Sequence, residues 1–434
     1  MKALVIGSGG REHAILWALK QTSPLALDLY CAPGNAGIAE LAECVSIRPD
    51  EQLSLIEFVK DRGIDLTIVG PETPLADGIV DSFENAGLAI AGPSKAASRL
   101  EGSKAFAKDF MSRHGIPTAS YCVARSTADV ADALRSGAFG SATTRVVIKA
   151  DGLAAGKGVV IAESHQDALD AARALMAGEV VEVSAAEQVV IEEALEGTEA
   201  SLLLFADGNE YALMPAARDH KRIGENDIGP NTGGMGAITD ASILSDEMLA
   251  RLEREVIKPT LAGCRSEGFP FRGVLFLGLM LTKNGPKLLE YNVRFGDPET
   301  QAILVRLKTS LLDVFQATRN GRLGELKVEW SDESSACVVL ASRGYPGRYE
   351  KGAGINGLHT ISENIHVFHA GTSRNAEGDL VTAGGRVLGV TATGKVLAEA
   401  LKCCYSAVER ISWDGMQYRR DIGKFNEVAK HVSG

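Results

Sequence analysis

The opening residues, MKALVIGSGGREHA, confine this chain to a narrow group of folds. Lys2–Ile6 reads as a buried strand and Gly7–Gly10 as a tight turn. Glu12–Lys20 reads as a helix, with Ala14, Ile15, Ala18 and Leu19 at helical spacing. A second strand-like run, Asp28–Cys31, breaks into APGNAG, and a third, Leu66–Val69, breaks into GPETPLADG before another helical pattern. Strands that alternate with helices and end in glycine- and proline-rich turns imply a parallel sheet whose functional loops gather at its carboxyl edge. The order of segments predicts such a unit over residues 1–103, a mixed unit over 104–327 and a smaller C-terminal unit over 328–434.

The glycine turn invites comparison with the dinucleotide fingerprint G-x-G-x-x-G, in which a pyrophosphate rests on a helix N-terminus. Gly7 and Gly9 fit, but the third place is Glu12. The second strand ends in Tyr30 and Cys31, where an acid is wanted for the ribose. A Rossmann-type oxidoreductase is therefore disfavoured, while Ser8, Gly9 and Gly10 can still present backbone N–H groups to a single phosphate.

A net charge of −11 argues against binding driven by a nucleic-acid backbone. Seven cysteines without a CxxC spacing argue for reduced thiols and against structural zinc. Apolar runs such as Val274–Leu281 fall short of the roughly 18 residues a membrane helix needs. The first residues also lack the longer apolar core of a signal peptide, so a cytoplasmic protein without a membrane partner is expected.

The middle of the chain carries the chemistry. DGLAAGKG fails the P-loop pattern in spacing and final residue. Lys149 nevertheless ends a strand before Gly152, Gly156 and Gly158, where an ammonium can meet a phosphate under a closing loop. In KLLEYNVRFGDPE, strand alternation puts Leu288, Glu290, Asn292 and Arg294 on one face and Leu289, Tyr291 and Val293 on the other. Glu290 and Asn292 offer hard oxygens suited to Mg²⁺, and Arg294 can brace a phosphate or carboxylate. The polar segment RDHKRIGENDIGPNTGGMGA is too glycine-rich to build a core and reads as a binding loop, with no metal role for His220. Near the C-terminus, Tyr418–Arg420 reads as a solvated basic face.

GSGGREHA, APGNAG, GPETPLADG, KADGLAAGKGV, DHKR with GPNTGGMGA, and EYNVRFGDPE stand in this order, and together the chain resembles the glycinamide ribonucleotide synthetases of the ATP-grasp superfamily. The resemblance implies an N-terminal parallel-sheet domain, a central ATP-grasp fold and a small C-terminal α/β domain. It implies ligation of glycine to 5-phosphoribosylamine through a glycyl phosphate, with ATP as co-substrate and Mg²⁺ or Mn²⁺. A transient contact with the enzyme that supplies phosphoribosylamine would follow. By position, Lys108, Lys149 and the loop around Gly156 would hold ATP phosphates. Glu192, Glu193 and Leu195 would lie near the adenine, Glu199 on the ribose, and Glu290 and Asn292 on the metal. Gly9, Gly10, Asn35, Gly37 and Glu72 would receive the sugar phosphate. Arg294, Gly296, Asp297 and Pro298, with Lys221 nearby, would shape the glycine and acyl-phosphate end. Many ATP-grasp enzymes carry a further metal-binding acid on an earlier strand, yet Gly273–Leu281 has none, leaving waters and phosphate oxygens to complete the coordination. A sister ligase that uses formate or another carboxylate is the nearest alternative.

Overall fold

Lys2–Gly7 lies at the centre of a five-stranded parallel sheet, between Asp28–Pro33 and Leu66–Val69, with Glu43–Cys44 and Ile90–Ala91 at the edges. The order of strands reverses between Lys2–Gly7 and Leu66–Val69, and at such a point the loops leaving the carboxyl ends part to open a crevice. The glycine turn after Lys2–Gly7 and the segment from Gly70 to Glu72 form its two sides. The computed structural model describes residues 1–154 and 157–425, so Gly156 lies outside the described residues.

Alternation along the first strand sends Leu4 and Ile6 into one core and Ala3 and Val5 into another. Both cores continue into later parts of the chain. The first takes in Leu275, Leu277 and Tyr291, and the second Phe205, Phe276, Phe315 and Phe368. The parallel sheet is thus packed against the rest of the molecule on both faces.

The middle of the chain divides between two antiparallel sheets. Tyr121–Ala124, Val189–Glu193, Val146–Ala150 and Val159–Ala162 form a four-stranded sheet, with Val130, Ile148, Leu175 and Ile191 in a core of its own. After Glu193 the chain crosses to a nine-stranded sheet, which it enters at Thr198–Asp207. At the crossing, a Cβ on Gly197 would stand 2.3 Å from the carbonyl oxygen of Leu281, so only glycine lets the backbones approach this closely.

The nine-stranded sheet runs across residue 328 without a break. Gly236–Thr239 pairs with Ser334–Ala341, which pairs in turn with Arg386–Gly394. The C-terminal residues therefore extend the central sheet, and the helix Leu397–Val408 covers them over Val338, Leu340 and Val390.

The motif strand, Gly285–Asn292, departs from simple alternation. Its partner Arg272–Thr282 pairs Gly278 with Glu290 but Leu279 with Leu288, so Leu289 is the extra residue of a β-bulge. The bulge shifts the phase by one residue. Leu288 consequently enters the core with Tyr291 and Val293 instead of sharing the face of Glu290, whereas Glu290 and Asn292 stay together. Arg294 lies beyond the strand's end.

The C-terminal unit also closes onto the first helix, Gly10–Thr22. His13 Nδ1 accepts the backbone N–H of His369 at 2.8 Å, and Trp17 packs on the His366 ring at 4.5 Å. Gly37 lies directly beneath His369, where an added Cβ would come within 2.2 Å of the imidazole. Its backbone φ of −81° suits any residue, so the constraint is contact alone. Gly37→Ala should lower the unfolding free energy by about 1–3 kcal/mol through overpacking, read by urea denaturation. Wild-type stability in this variant would contradict the docking.

Candidate active site

The two antiparallel sheets meet across a pair of buried lysines. Lys149 sits on Val146–Ala150 and Lys108 on the helix Lys104–Arg113, and both ammonium groups reach Glu192, on Val189–Glu193, at 2.8 Å. All three side chains are at most 7% exposed. Lys108 also donates to Thr118 Oγ1, whose hydroxyl donates to the carbonyl of Leu288, and Lys149 Nζ lies 3.4 Å from the carbonyl of Leu289. The bulged strand is therefore stitched to the four-stranded sheet where its metal-type ligands begin. Burial pushes Lys108 down to about 8 against the opposing pull of Glu192, and the charge of Lys149 adds to the depression.

Opposite the lysines, the nine-stranded sheet presents Glu290, Asn292 and Glu199. Burial opposes the charge on Glu290, yet Lys221, Lys149, Lys104 and Arg294 hold its carboxyl below the usual range. Gly278 stands beside Glu290 in the sheet, and a Cβ there would meet Glu290 Cγ at 3.1 Å. The neighbouring strand thus makes room for Glu290 without adding an acid. Lys221 pairs with Glu199 at 2.7 Å, and both are about half exposed at the mouth of the cleft. Burial works against the charge on Lys221, but Glu199, Asp219 and Glu290 together keep it firmly protonated. Among the described residues no three His, Cys, Asp or Glu side chains form a metal cluster. Glu290 and Asn292 are a fitting oxygen pair for a hard divalent cation that takes its other ligands from phosphate and water.

Arg294 binds these ligands to the parallel sheet. Its Nη2 donates to Asn292 Oδ1 at 3.1 Å and pairs with Glu101 at 3.0 Å, its Nη1 donates to the carbonyl of Phe295, and its Nε lies 3.3 Å from Glu72. Burial opposes its charge, while Glu101 and Glu72 hold the guanidinium protonated. Both terminal nitrogens of Arg294 donate to protein oxygens, and Nε stands in ion-pair reach of Glu72 without a hydrogen bond, so the terminal fork is engaged within the protein. Glu101 and Arg11, the latter 3.8 Å from Glu72, carry no sequence signal of their own.

The turn FGDPE closes the site from the other side. Asp297 pairs with Arg386 of the C-terminal unit at 2.9 Å and accepts from Gln301, and Arg386 also donates to the carbonyls of Asp297 and Gly233. Gly234 packs on Pro298, where a Cβ would come within 2.4 Å of the ring. A Cβ on Gly296 would likewise collide with Glu299 Oε2, so the missing side chain is what lets that carboxylate lie over the turn. Burial, and then Asp219, raise the proton affinity of Glu299, which is 4% exposed. Arg386 has no counterpart in the sequence reading, because nothing local marks it.

The glycine turn approaches Asp297 directly: a Cβ on Gly9 would lie 3.5 Å from its Oδ2. Gly9 N–H is not free for a phosphate, since Glu12 Oε2 accepts it at 2.5 Å. Glu12 fills the space above Gly7 and Gly70, the place a third fingerprint glycine would leave open. Asn35 donates to the carbonyls of Ser8 and His369 and accepts from the N–H groups of Gly37 and Ile38. Asn35 and Gly37 therefore brace the turn against the C-terminal unit. Glu193 accepts from Ser120 N–H and pairs with Lys287, and Leu195 lies half-buried in the crossing between sheets.

Two buried lysines, one on a sheet and one on the helix beside it, facing hard oxygen ligands on a second antiparallel sheet with no P-loop, define an ATP-grasp enzyme. The chain matches the phosphoribosylglycinamide synthetase N domain over residues 1–101, the ATP-grasp (A) domain over 102–300 and the C domain over 335–425, and it belongs to that family. It is 48% identical over 433 residues to the phosphoribosylamine–glycine ligase of Rhizobium meliloti (strain 1021), covering 100% of both chains. The crystal structure of the phosphoribosylamine–glycine ligase of Thermotoga maritima superposes with a TM-score of 0.84 at 35% identity, over 97% of this chain and 100% of that one. The biotin carboxylase domain of Hydrogenobacter thermophilus 2-oxoglutarate carboxylase, 16% identical and covering 96% of this chain and 91% of its own, shares the fold with a TM-score of 0.70.

Lys108 generates a pH prediction. A phosphate beside the ammonium raises its proton affinity, so nucleotide binding should take up a proton at pH 8.5 and close to none at pH 6.5, and affinity should fall as pH rises through about 8. Calorimetry in two buffers of different ionisation enthalpy measures the uptake, and Lys108→Met should abolish it. Equal proton uptake in the variant would remove Lys108 from the phosphate site.

Proposed function

We propose that the chain uses ATP to ligate glycine to 5-phosphoribosylamine, giving glycinamide ribonucleotide, ADP and phosphate in purine biosynthesis, and that it does so through a glycyl phosphate. The observation that carries this reading is the opposition of Lys149 on the four-stranded sheet, with Lys108 on the helix packed against it, to Glu290 and Asn292 on the nine-stranded sheet, above a turn joined to the N-terminal crevice. A carboxylate is a poor acyl donor, and its mixed anhydride with phosphate carries a good leaving group. The protein's task is then to place reactants and neutralise charge.

Lys108 and Lys149 would hold the ATP phosphates under the loop around Gly156, with Glu192, Glu193 and Leu195 beside the adenine and Glu199 on the ribose. Glu290 and Asn292 would hold Mg²⁺ or Mn²⁺, which supplies positive charge to the phosphate oxygens when bound. Gly296, Asp297 and Pro298 would shape the glycine end, with Lys221 beside the acyl phosphate. Gly9, Gly10 and Glu72 would face the sugar phosphate, supported by Asn35 and Gly37. Arg294 would act by aligning Asn292 and Glu72. The amine of phosphoribosylamine must lose a proton as it attacks, and Glu299 with Asp219, whose raised proton affinities suit that role, lie beside the acyl end. Among the described residues no helix is long and apolar enough to cross a membrane. We place the enzyme in the cytoplasm, where it would meet the supplier of phosphoribosylamine.

ADP release from MgATP and phosphoribosylamine should require glycine, fail with formate, and fall by about 10²–10³ in kcat for Glu290→Ala. Release indifferent to glycine would overturn the substrate assignment.

A further inference from the structure

Arg419 is 1% exposed, so the expected solvated face at Tyr418–Arg420 is corrected at its central residue. A buried guanidinium needs partners, and Arg419 has a full set. It pairs with Asp227 at 2.7 Å and with both oxygens of Asp421 at 2.7 and 2.8 Å, and donates to the carbonyl of Arg222. Two of these partners, Arg222 and Asp227, belong to the polar loop that starts at Arg218.

The same C-terminal strap grips that loop at further points. Asp421 accepts the backbone N–H of Asn226 at 2.7 Å, and Gly423 N–H donates to His220 Nε2 at 2.9 Å. Phe425 stacks on His220 with ring centroids 4.4 Å apart, while the Arg218 guanidinium lies 3.4 Å from the centroid of the Phe425 ring. Asn226 and Asp227 have φ of 57° and 55°, a left-handed conformation that residues other than glycine adopt at a cost. Their bonds to Asp421 and Arg419 hold them there. Lys221 sits between the gripped His220 and Arg222, and its carbonyl is fixed by Thr232.

We infer that Arg419 is a positioning residue for the ligation: with Asp227 and Asp421 it clamps the polar loop so that Lys221, braced by its pair with Glu199, stays directed toward the acyl end. The inference rests on the reading of Lys221 as a cation of the acyl end. Arg419 touches no substrate and acts through the backbone of the loop.

The test uses Arg419→Met and Asp227→Gly in the full chain. Asp227 is 42% exposed and glycine accepts its φ, so this second variant carries the test if the buried change prevents folding. Trypsin should cut faster after Lys221 or Arg222 in both variants. On misplacement grounds, kcat for glycine-dependent ADP release should fall on the order of tenfold, with KM for ATP nearly unchanged. Adding Lys221→Met should cost less than it does in the parent enzyme, because the two changes damage one arrangement. Unchanged trypsin resistance would overturn the clamp. A loosened loop with full additivity, or with a silent Lys221→Met, would instead overturn the link to catalysis and the reading of Lys221.

Discussion

A single guanidinium, that of Arg294, ties the metal-type ligands to the parallel sheet. It reaches Asn292 on one side and Glu72 and Glu101 on the other, and it is 16% exposed. Removing three charged groups from water is costly unless each finds a partner, so neither the guanidinium nor the two carboxylates can move independently. The crevice of the N-terminal sheet and the nucleotide cleft of the two antiparallel sheets are thereby held in one register. On the proposed reading, an amine bound in the first would meet an acyl phosphate made in the second without a large rearrangement.

The C-terminal unit completes the same arrangement from behind. Arg386 fixes Asp297 and the carbonyl of Gly233, His369 seats on Gly37, and the final strap holds the loop bearing Lys221. All three connections reach backbone or turn residues of the site. A sheet that continues from Gly236–Thr239 into Ser334–Ala341 gives these contacts a rigid base. The C-terminal residues therefore serve the site by shaping its loops.

Much of this is legible in the sequence, for definite reasons. The alternation of apolar strands with glycine turns reveals the parallel sheet, because each turn sits where a strand must hand over to a helix. Glu290 and Asn292 share a face as their spacing requires, and Lys149 ends its strand paired with the buried Glu192. Other parts are hidden by their nature. The bulge at Leu289 is set by the partner strand and cannot be read from one strand's pattern. The motif assigns Arg294 to a substrate anion, but Glu101, Glu72 and Asn292 engage it, and the distance of Glu101 along the chain gives no warning. Arg419 reads as surface because its partners, Asp227 and Asp421, lie on a loop and a strap that meet only in the fold. Pairwise contacts between segments far apart in sequence are what local patterns do not carry.

If Arg294 holds the halves of the site together, its loss should strand a buried carboxylate. The decisive measurement is a urea unfolding cycle on the parent, Arg294→Met, Glu101→Gln and the double variant. Arg294→Met should be destabilised by about 3–5 kcal/mol, and Glu101→Gln should restore part of that loss, since a neutral amide in place of the carboxylate no longer needs a buried cation. Strictly additive losses would contradict the account and leave Arg294 free for a substrate anion.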